Sequence, residues 1–247
     1  MHKNRWTKRI TAILFWVILW QTASMWIKND IIFVGPVEVL QTLGRQIATT
    51  TFWKTIAYSF GKIGLGFISA FILGILLGAM AYRQEWFKTL LEPLVAIMKS
   101  IPVASFVILA LIWMGSENLS VFIAFTIAFP VIYINTAAGL ESTDKKLLEM
   151  SAVFQISKWK KIKYIYRTPL MTYLISGTKV ALGMSWKAGI AAEVIGVPAM
   201  SIGERLYMSK IYLSTNELFA WTLVTIVVSV LFEKIFLFLL TLLQKRN

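Results

Sequence analysis

Six stretches of the chain are long, apolar and poor in charge. They are residues 10–27 (ITAILFWVILWQTASMWI), about 60–82, about 94–114, about 119–140, 170–196 and about 218–241. A helix needs about 20 predominantly apolar residues to cross a bilayer's hydrocarbon core, so the pattern predicts six transmembrane helices. The fold class is all-α and polytopic, with residues 1–247 forming one transmembrane domain. The first stretch follows Lys3, Arg5, Lys8 and Arg9 and competes with a signal peptide. No small-x-small cleavage site follows it, which favours a retained helix.

The cations fix an expected orientation. With the N-terminus inside, segments 1–9, 83–92, 141–168 and 245–247 hold fifteen Lys and Arg, against five in the outside segments 28–59, 115–118 and 197–217. Loops rich in Lys and Arg stay in the cytoplasm, so both termini are expected there.

Composition narrows the function. Hydrophobic residues make up 57% and charged residues 15%, against roughly 45–50% and 25% in soluble domains, and mean hydropathy is +0.70. The formal charge of +13 is accounted for by the cytoplasmic loops, which removes the main support for nucleic-acid binding. The absence of cysteine excludes thiolate metal sites and cysteine nucleophiles. His2 is the single histidine. No metal site and no catalytic residue is expected.

Gly66, Ala70, Gly74 and Gly78 recur every fourth residue in the second span. Such a stripe lets a neighbouring backbone approach closely, either as packing within one subunit or at a moving interface. Pro102 and Pro130 each remove a helical hydrogen bond and are expected to kink the third and fourth spans.

The longest inside segment, 141–168, reads ESTDKKLLEMSAVFQISKWKKIKYIYRT. Asp144 is a candidate cap for a helix starting near Lys145. Leu148, Ala152, Ile156 and Trp159 then form one apolar stripe, and Lys158, Lys160, Lys161 and Lys163 crowd the far end, where the helix dipole favours cations. Such a helix either lies on anionic lipid or plugs into a partner protein.

At these residues the sequence resembles the permease subunit of binding-protein-dependent ABC importers of type I, in the nitrate, sulfonate, taurine and thiamine-precursor branch. That family carries Glu-Ala-Ala, a Gly four residues after the last Ala, and a later Ile-x-Leu-Pro. Glu149 matches the Glu, Met150-Ser151 stands for the alanines with Ala152 beside them, Gln155 replaces the Gly, and Ile165 matches the Ile. Arg167-Thr168 replaces Leu-Pro, with Pro169 one place late. The likeness extends from about residue 33 to 240. It takes in FVGPVEVLQTL (33–43), EPLVAIMKSIPVASFVILALIWMG (92–115, with Lys99 for the family's Arg), Phe129-Pro130, Asn135-Thr136, Gly139-Leu140, Gly183, Trp186, Ala192-Glu193, Gly196 and Ile202-Gly203.

The resemblance implies a cytoplasmic coupling helix docked in a groove of a separate ATPase subunit, with Glu149, Ala152, Gln155, Ile156 and Trp159 as its contact residues. No G-x-x-x-x-G-K-[ST] motif is present, and Gly61-Lys62 lacks both the upstream Gly and a following Ser or Thr. The chain itself therefore needs no cofactor, and ATP and Mg belong to the partner. The resemblance also implies a second permease copy (a homodimer), an extracytoplasmic substrate-binding protein delivering onto loops 28–59 and 197–217, surrounding lipid, and location in a bacterial cytoplasmic membrane.

Lys179, Lys187 and Glu193 fall within the fifth span, where an unpaired charge costs at least about 2.5–3.5 kcal/mol. Lys179 is placed to snorkel. Lys187 and Glu193 are six apart, about 240° around a helix, and suit either the translocation pathway or ion pairs with other helices. With Lys99 and Asn135 they form the candidate pathway set. A pathway lysine suits a nitrate-, sulfonate- or taurine-like anion, and thiamine precursors are the neutral counterpart. The alternative is a secondary transporter driven by an ion gradient, for which internal repeats are expected. An enzyme has no support, because no His, Cys or carboxylate pair is in place.

Overall fold

A computed structural model describes residues 2–245, with the side chains of residues 2–6, 9 and 245 outside the described set. The expectations for His2 and for the flanking charges Lys3, Arg5, Arg9, Lys245 and Arg246 fall outside it. The described residues form helices and no strand: α1 (His2–Ile27), α2 (Pro36–Ile47), α3 (Thr50–Arg83), α4 (Glu85–Ser100), α5 (Val103–Glu141), α6 (Lys145–Val153), α7 (Lys158–Lys161), a π-helical turn (Ile162–Tyr166), α8 (Arg167–Gly196), α9 (Ile202–Ile211) and α10 (Thr215–Lys245). Four of them, α1, α3, α5 and α10, contain stretches long and apolar enough to cross a membrane. Helix α8 has the length of a crossing, at 30 residues, but carries Lys179, Lys187 and Glu193.

Several boundaries differ from the hydropathy pattern. Helix α3 starts ten residues before the apolar run, because Thr49 accepts a hydrogen bond from the Phe52 N–H at 3.3 Å and caps it. The expected continuous third span is broken between Ser100 and Val103. Pro102 disfavours helical geometry at the preceding residue, and Ile101 is extended at φ −67°, ψ 125°. Within α5 the departure from helical geometry is at Gly115 (φ 67°, ψ 172°), and the helix runs on through Pro130. Gly115 thus divides α5 into two limbs where the sequence placed an outside turn.

The second limb of α5 is the spine of the protomer, held between α3 and α8. On the α3 side, a Cβ at Gly66 would lie 2.3 Å from the Val121 carbonyl oxygen, one at Gly74 2.9 Å from Ile132 Cβ, and one at Gly78 2.8 Å from Thr136 Cβ. The small-residue stripe is therefore packing within the subunit, with backbone set almost on backbone. On the α8 side, Gly177 receives Asn135 and Gly196 receives Leu119. A cluster of Phe60, Phe67, Phe71, Trp186, Phe232 and Phe236, in edge and tilted contacts, ties α10 to α3 and α8. Helix α1 stands apart, its apolar stretch unburied. It is anchored near its end by Trp20, whose Nε1 donates to the Val34 carbonyl at 3.0 Å and whose ring meets Phe219 at 5.7 Å.

Candidate functional site

The segment between α5 and α8 folds into a compact elbow. Asp144 caps α6 by accepting from the Lys146 N–H at 2.9 Å. The apolar stripe from Leu148 to Trp159 is not on one helix, however. Helix α6 ends at Val153, where Gln155 takes a left-handed φ of 46°. Its N–H donates to the Ala152 carbonyl at 3.1 Å, and the Ile156 N–H donates to that of Ser151 at 3.0 Å. These two bonds make a Schellman ending, which favours glycine at the left-handed position. Gln155 stands there, at a backbone cost of about 1 kcal/mol. Ser157 then opens α7.

The break changes which side chains project. Leu148 and Ile156 are half-buried, Glu149, Ala152 and Gln155 are exposed, and Trp159 is 81% exposed. Val153 and Phe154, at 79% and 72%, are exposed as well, so three apolar side chains within seven residues project from the elbow as a knob. The helical-stripe reading missed Val153 and Phe154 because it assumed an unbroken helix. The SAVFQIS run, with Phe next to the position of the family's glycine, carries the signal that a turn exposes them.

The four pathway candidates do not converge in one protomer. Lys99 is exposed beside an open cavity of about 360 Å³ between α4 and α5, which Lys88, Glu92, Tyr133 and Glu141 also line. Lys88 donates to Glu141 at 2.8 Å across this opening. Asn135 is half-buried, donates to the Val131 carbonyl at 2.8 Å, and packs on Gly177. Lys187 is exposed, on the α8 face that also presents Val180, Met184, Ala191 and Ile195. Nine residues from the end of α8, it sits about 14 Å along the helix from that end.

Glu193 is 0% exposed. Its Oε2 accepts from the Ser59 hydroxyl at 2.7 Å and from the Gly203 N–H at 3.2 Å, while the Ser59 Oγ accepts from the Ile202 N–H at 2.8 Å. The carboxyl group therefore faces the first turn of α9, where free N–H groups and the positive end of the helix dipole favour an anionic acceptor. The ion pair that was one expectation for Glu193 is replaced by hydrogen bonds to α3 and α9. Close packing enforces the arrangement. Val197, left-handed at φ 47°, turns the chain back within five residues, and Gly203 lies so close that a Cβ there would be 2.2 Å from Glu193 Cβ. Ser201 completes the cap by accepting from the Glu204 N–H at 2.9 Å, with Glu204 Oε2 accepting from the Met200 N–H at 2.6 Å. Ser59, the α3 member of this lock, escaped the sequence reading because a lone serine in an apolar span announces no partner.

Comparison with known proteins agrees with the architecture. The family described as "Binding-protein-dependent transport system inner membrane component" matches residues 70–247. A Bacillus subtilis protein described as the putative aliphatic sulfonates transport permease protein SsuC is 25% identical over 90% of this chain and 81% of its own length. The bicarbonate transport system permease protein CmpB of Synechococcus elongatus is 30% identical over 62% of this chain and 55% of its own length. The taurine transport system permease protein TauC of Escherichia coli is 20% identical over 90% and 83% respectively. A multi-pass helical protein with an elbow between its fifth and eighth helices, matched over most of its length, belongs to the family of inner membrane components of binding-protein-dependent transport systems: it is an ABC transporter permease, not an enzyme.

Proposed function

We propose that the chain is the permease subunit of an ATP-driven importer of a small anion. It crosses the membrane six times with both termini in the cytoplasm and works as a pair of copies. The six crossings are α1, α3, the α4–α5 first limb, the α5 second limb, α8 and α10. Loops 28–59 and 197–217 then lie outside, where a substrate-binding protein docks. The elbow at 141–168 lies inside, where an ATPase subunit grips it. ATP and Mg are held by that subunit.

The observation that carries this reading is the knob of Val153, Phe154 and Trp159, three large apolar side chains more than 70% exposed on a polar segment. Rigid aromatic anchors of this kind dominate binding energy when they enter a partner's pocket. Glu149 and the lysines around them form the polar rim. Helix α6 is short and capped at both ends, so it transmits displacement to α5 and α8 as one rigid piece.

The substrate class rests on Lys187. An exposed lysine well inside a crossing helix does not face hydrocarbon, so its face of α8 is the one turned to water or to the second copy. Relatives that carry sulfonates, bicarbonate and taurine fit a cationic path. Affinity purification of the tagged permease tests the coupling: its ATPase co-purifies with the native chain and is lost from Phe154→Ala/Trp159→Ala, whereas retention of the ATPase by that variant refutes the coupling site.

A further inference from the structure

Lys158, Lys161 and Lys163, in the second half of the elbow, border a cavity of about 530 Å³ between the end of α3 and the start of α8. Its mouth is ringed by Arg83, Lys158, Lys161, Lys163 and Arg167, and no Asp or Glu lines it. Arg167 is also tied to the chain's far end, its guanidinium donating to the Leu243 carbonyl. Tyr82 and Tyr166 stand at the same level, ring centroids 5.9 Å apart and edge to face. Below them the walls turn apolar, with Ile75, Ala79, Leu140 and Leu170.

Three features specify the occupant. Five of the lining side chains are cationic and none is acidic, which favours an anion. Tyrosines at the level of the cations mark the membrane–water boundary, where amphipathic rings settle. From Arg83 to Ile75 the cavity runs eight residues down α3, about 12 Å, from charged rim to hydrocarbon wall. A soluble anion uses the rim and leaves the wall bare. An amphiphile with an anionic head and an acyl tail uses both, and basic pockets between helices on the cytoplasmic side suit such heads.

We propose that this cavity is a binding site for an acidic glycerophospholipid of the cytoplasmic leaflet, its phosphate held by Lys158, Lys161, Lys163 and Arg83 and an acyl chain laid against Ala79 and Ile75. The lipid joins α3 to the turn that leads from the elbow into α8. It thus sits on the element through which ATPase movement enters the membrane domain. The leaflet rests on the inward orientation proposed above. Binding itself does not, and an assay in detergent keeps the two apart.

The test is native mass spectrometry of the full chain in neutral detergent, titrated with phosphatidylglycerol, with phosphatidylcholine of the same tails, and with inorganic phosphate as competitor. The expected result is one tight phosphatidylglycerol per chain, phosphatidylcholine at least about tenfold weaker, and no displacement by phosphate at millimolar concentration. Lys158→Gln/Lys161→Gln/Lys163→Gln lowers phosphatidylglycerol affinity on the order of a hundredfold. Ala79→Trp, which fills the wall and leaves the charge alone, abolishes binding, with monodisperse elution confirming that each variant is folded. Equal binding of the two lipids, displacement by free phosphate, or retention of phosphatidylglycerol by either variant overturns the assignment.

Discussion

Replacing Gly203 by alanine asks whether α9 is held against α8 as closely as the coordinates place it. The added Cβ would fall 2.2 Å from Glu193 Cβ, 2.3 Å from the Glu193 carbonyl carbon and 2.5 Å from the Val194 nitrogen. Two of those atoms are backbone inside a helix and cannot rotate away, so α9 itself must retreat by roughly 1 Å to reach an ordinary contact. That movement takes the Gly203 N–H beyond hydrogen-bond range of Glu193 Oε2, now at 3.2 Å. It also stretches the Ile202 N–H bond to Ser59, now at 2.8 Å. Losing these two hydrogen bonds costs about 2 kcal/mol together, or a fall in melting temperature of roughly 4–8 °C for a chain of this size. The assay is thermal unfolding of the full chain in detergent followed by tryptophan emission, with buried Trp186 and Trp221 as reporters. Gly44→Ala is the control: nothing lies within 4 Å of its Cβ position, and the gain in helix propensity of up to about 1 kcal/mol leaves the melt unchanged or raised. If Gly203→Ala melts together with the native chain, α9 is not locked to α8 through Glu193 and the description of that end of α8 is wrong.

Gln155→Gly removes the left-handed strain at the end of α6 and raises stability by about 1 kcal/mol, seen as a higher melting temperature; a lower one contradicts the turn. Gly66→Ala drives a Cβ to 2.3 Å from the Val121 carbonyl oxygen, pushes α3 off α5 and costs at least about 2 kcal/mol, so a native-like melt refutes the packing of that stripe. Lys187→Met lowers uptake of the anionic substrate by about tenfold or more in vesicles while the protein still assembles with its ATPase, and unchanged uptake removes Lys187 from the pathway.

How far the sequence disclosed this structure depends on the physical signal each feature leaves. Membrane crossings leave a strong one, because some 20 residues must satisfy the bilayer together: four of the described helices are long and apolar enough to cross, while the third expected run is broken at Ile101 and continues into the same helix as the fourth. The glycine stripe was equally plain, since Gly66, Gly74 and Gly78 share one face at a four-residue period. The elbow was half legible. Asp144 announced the start of α6, but its end depends on Gln155 adopting a conformation that side chains other than glycine rarely adopt, and no periodicity predicts that. Val153 and Phe154 were hidden for the same reason: a stripe drawn through an assumed helix puts them on the wrong side. Glu193 stood out as a charge in an apolar span, yet its partners, Ser59 from α3 and the α9 backbone, are brought to it by tertiary packing. Buried carboxylates find hydrogen bonds as readily as cations, and sequence alone does not decide between the two.

The account turns on the elbow facing the cytoplasm and being gripped there. Because the chain contains no cysteine, Ser157→Cys, exposed between Phe154 and Trp159, supplies a single reporter and leaves the anchors of the knob in place. Membrane-impermeant maleimide is added to inside-out vesicles and to right-side-out vesicles, each with and without the ATPase subunit. The account predicts labelling only in inside-out vesicles, and loss of that labelling when the ATPase is assembled on the permease. Labelling from the outside, or equal labelling with and without the ATPase, contradicts it.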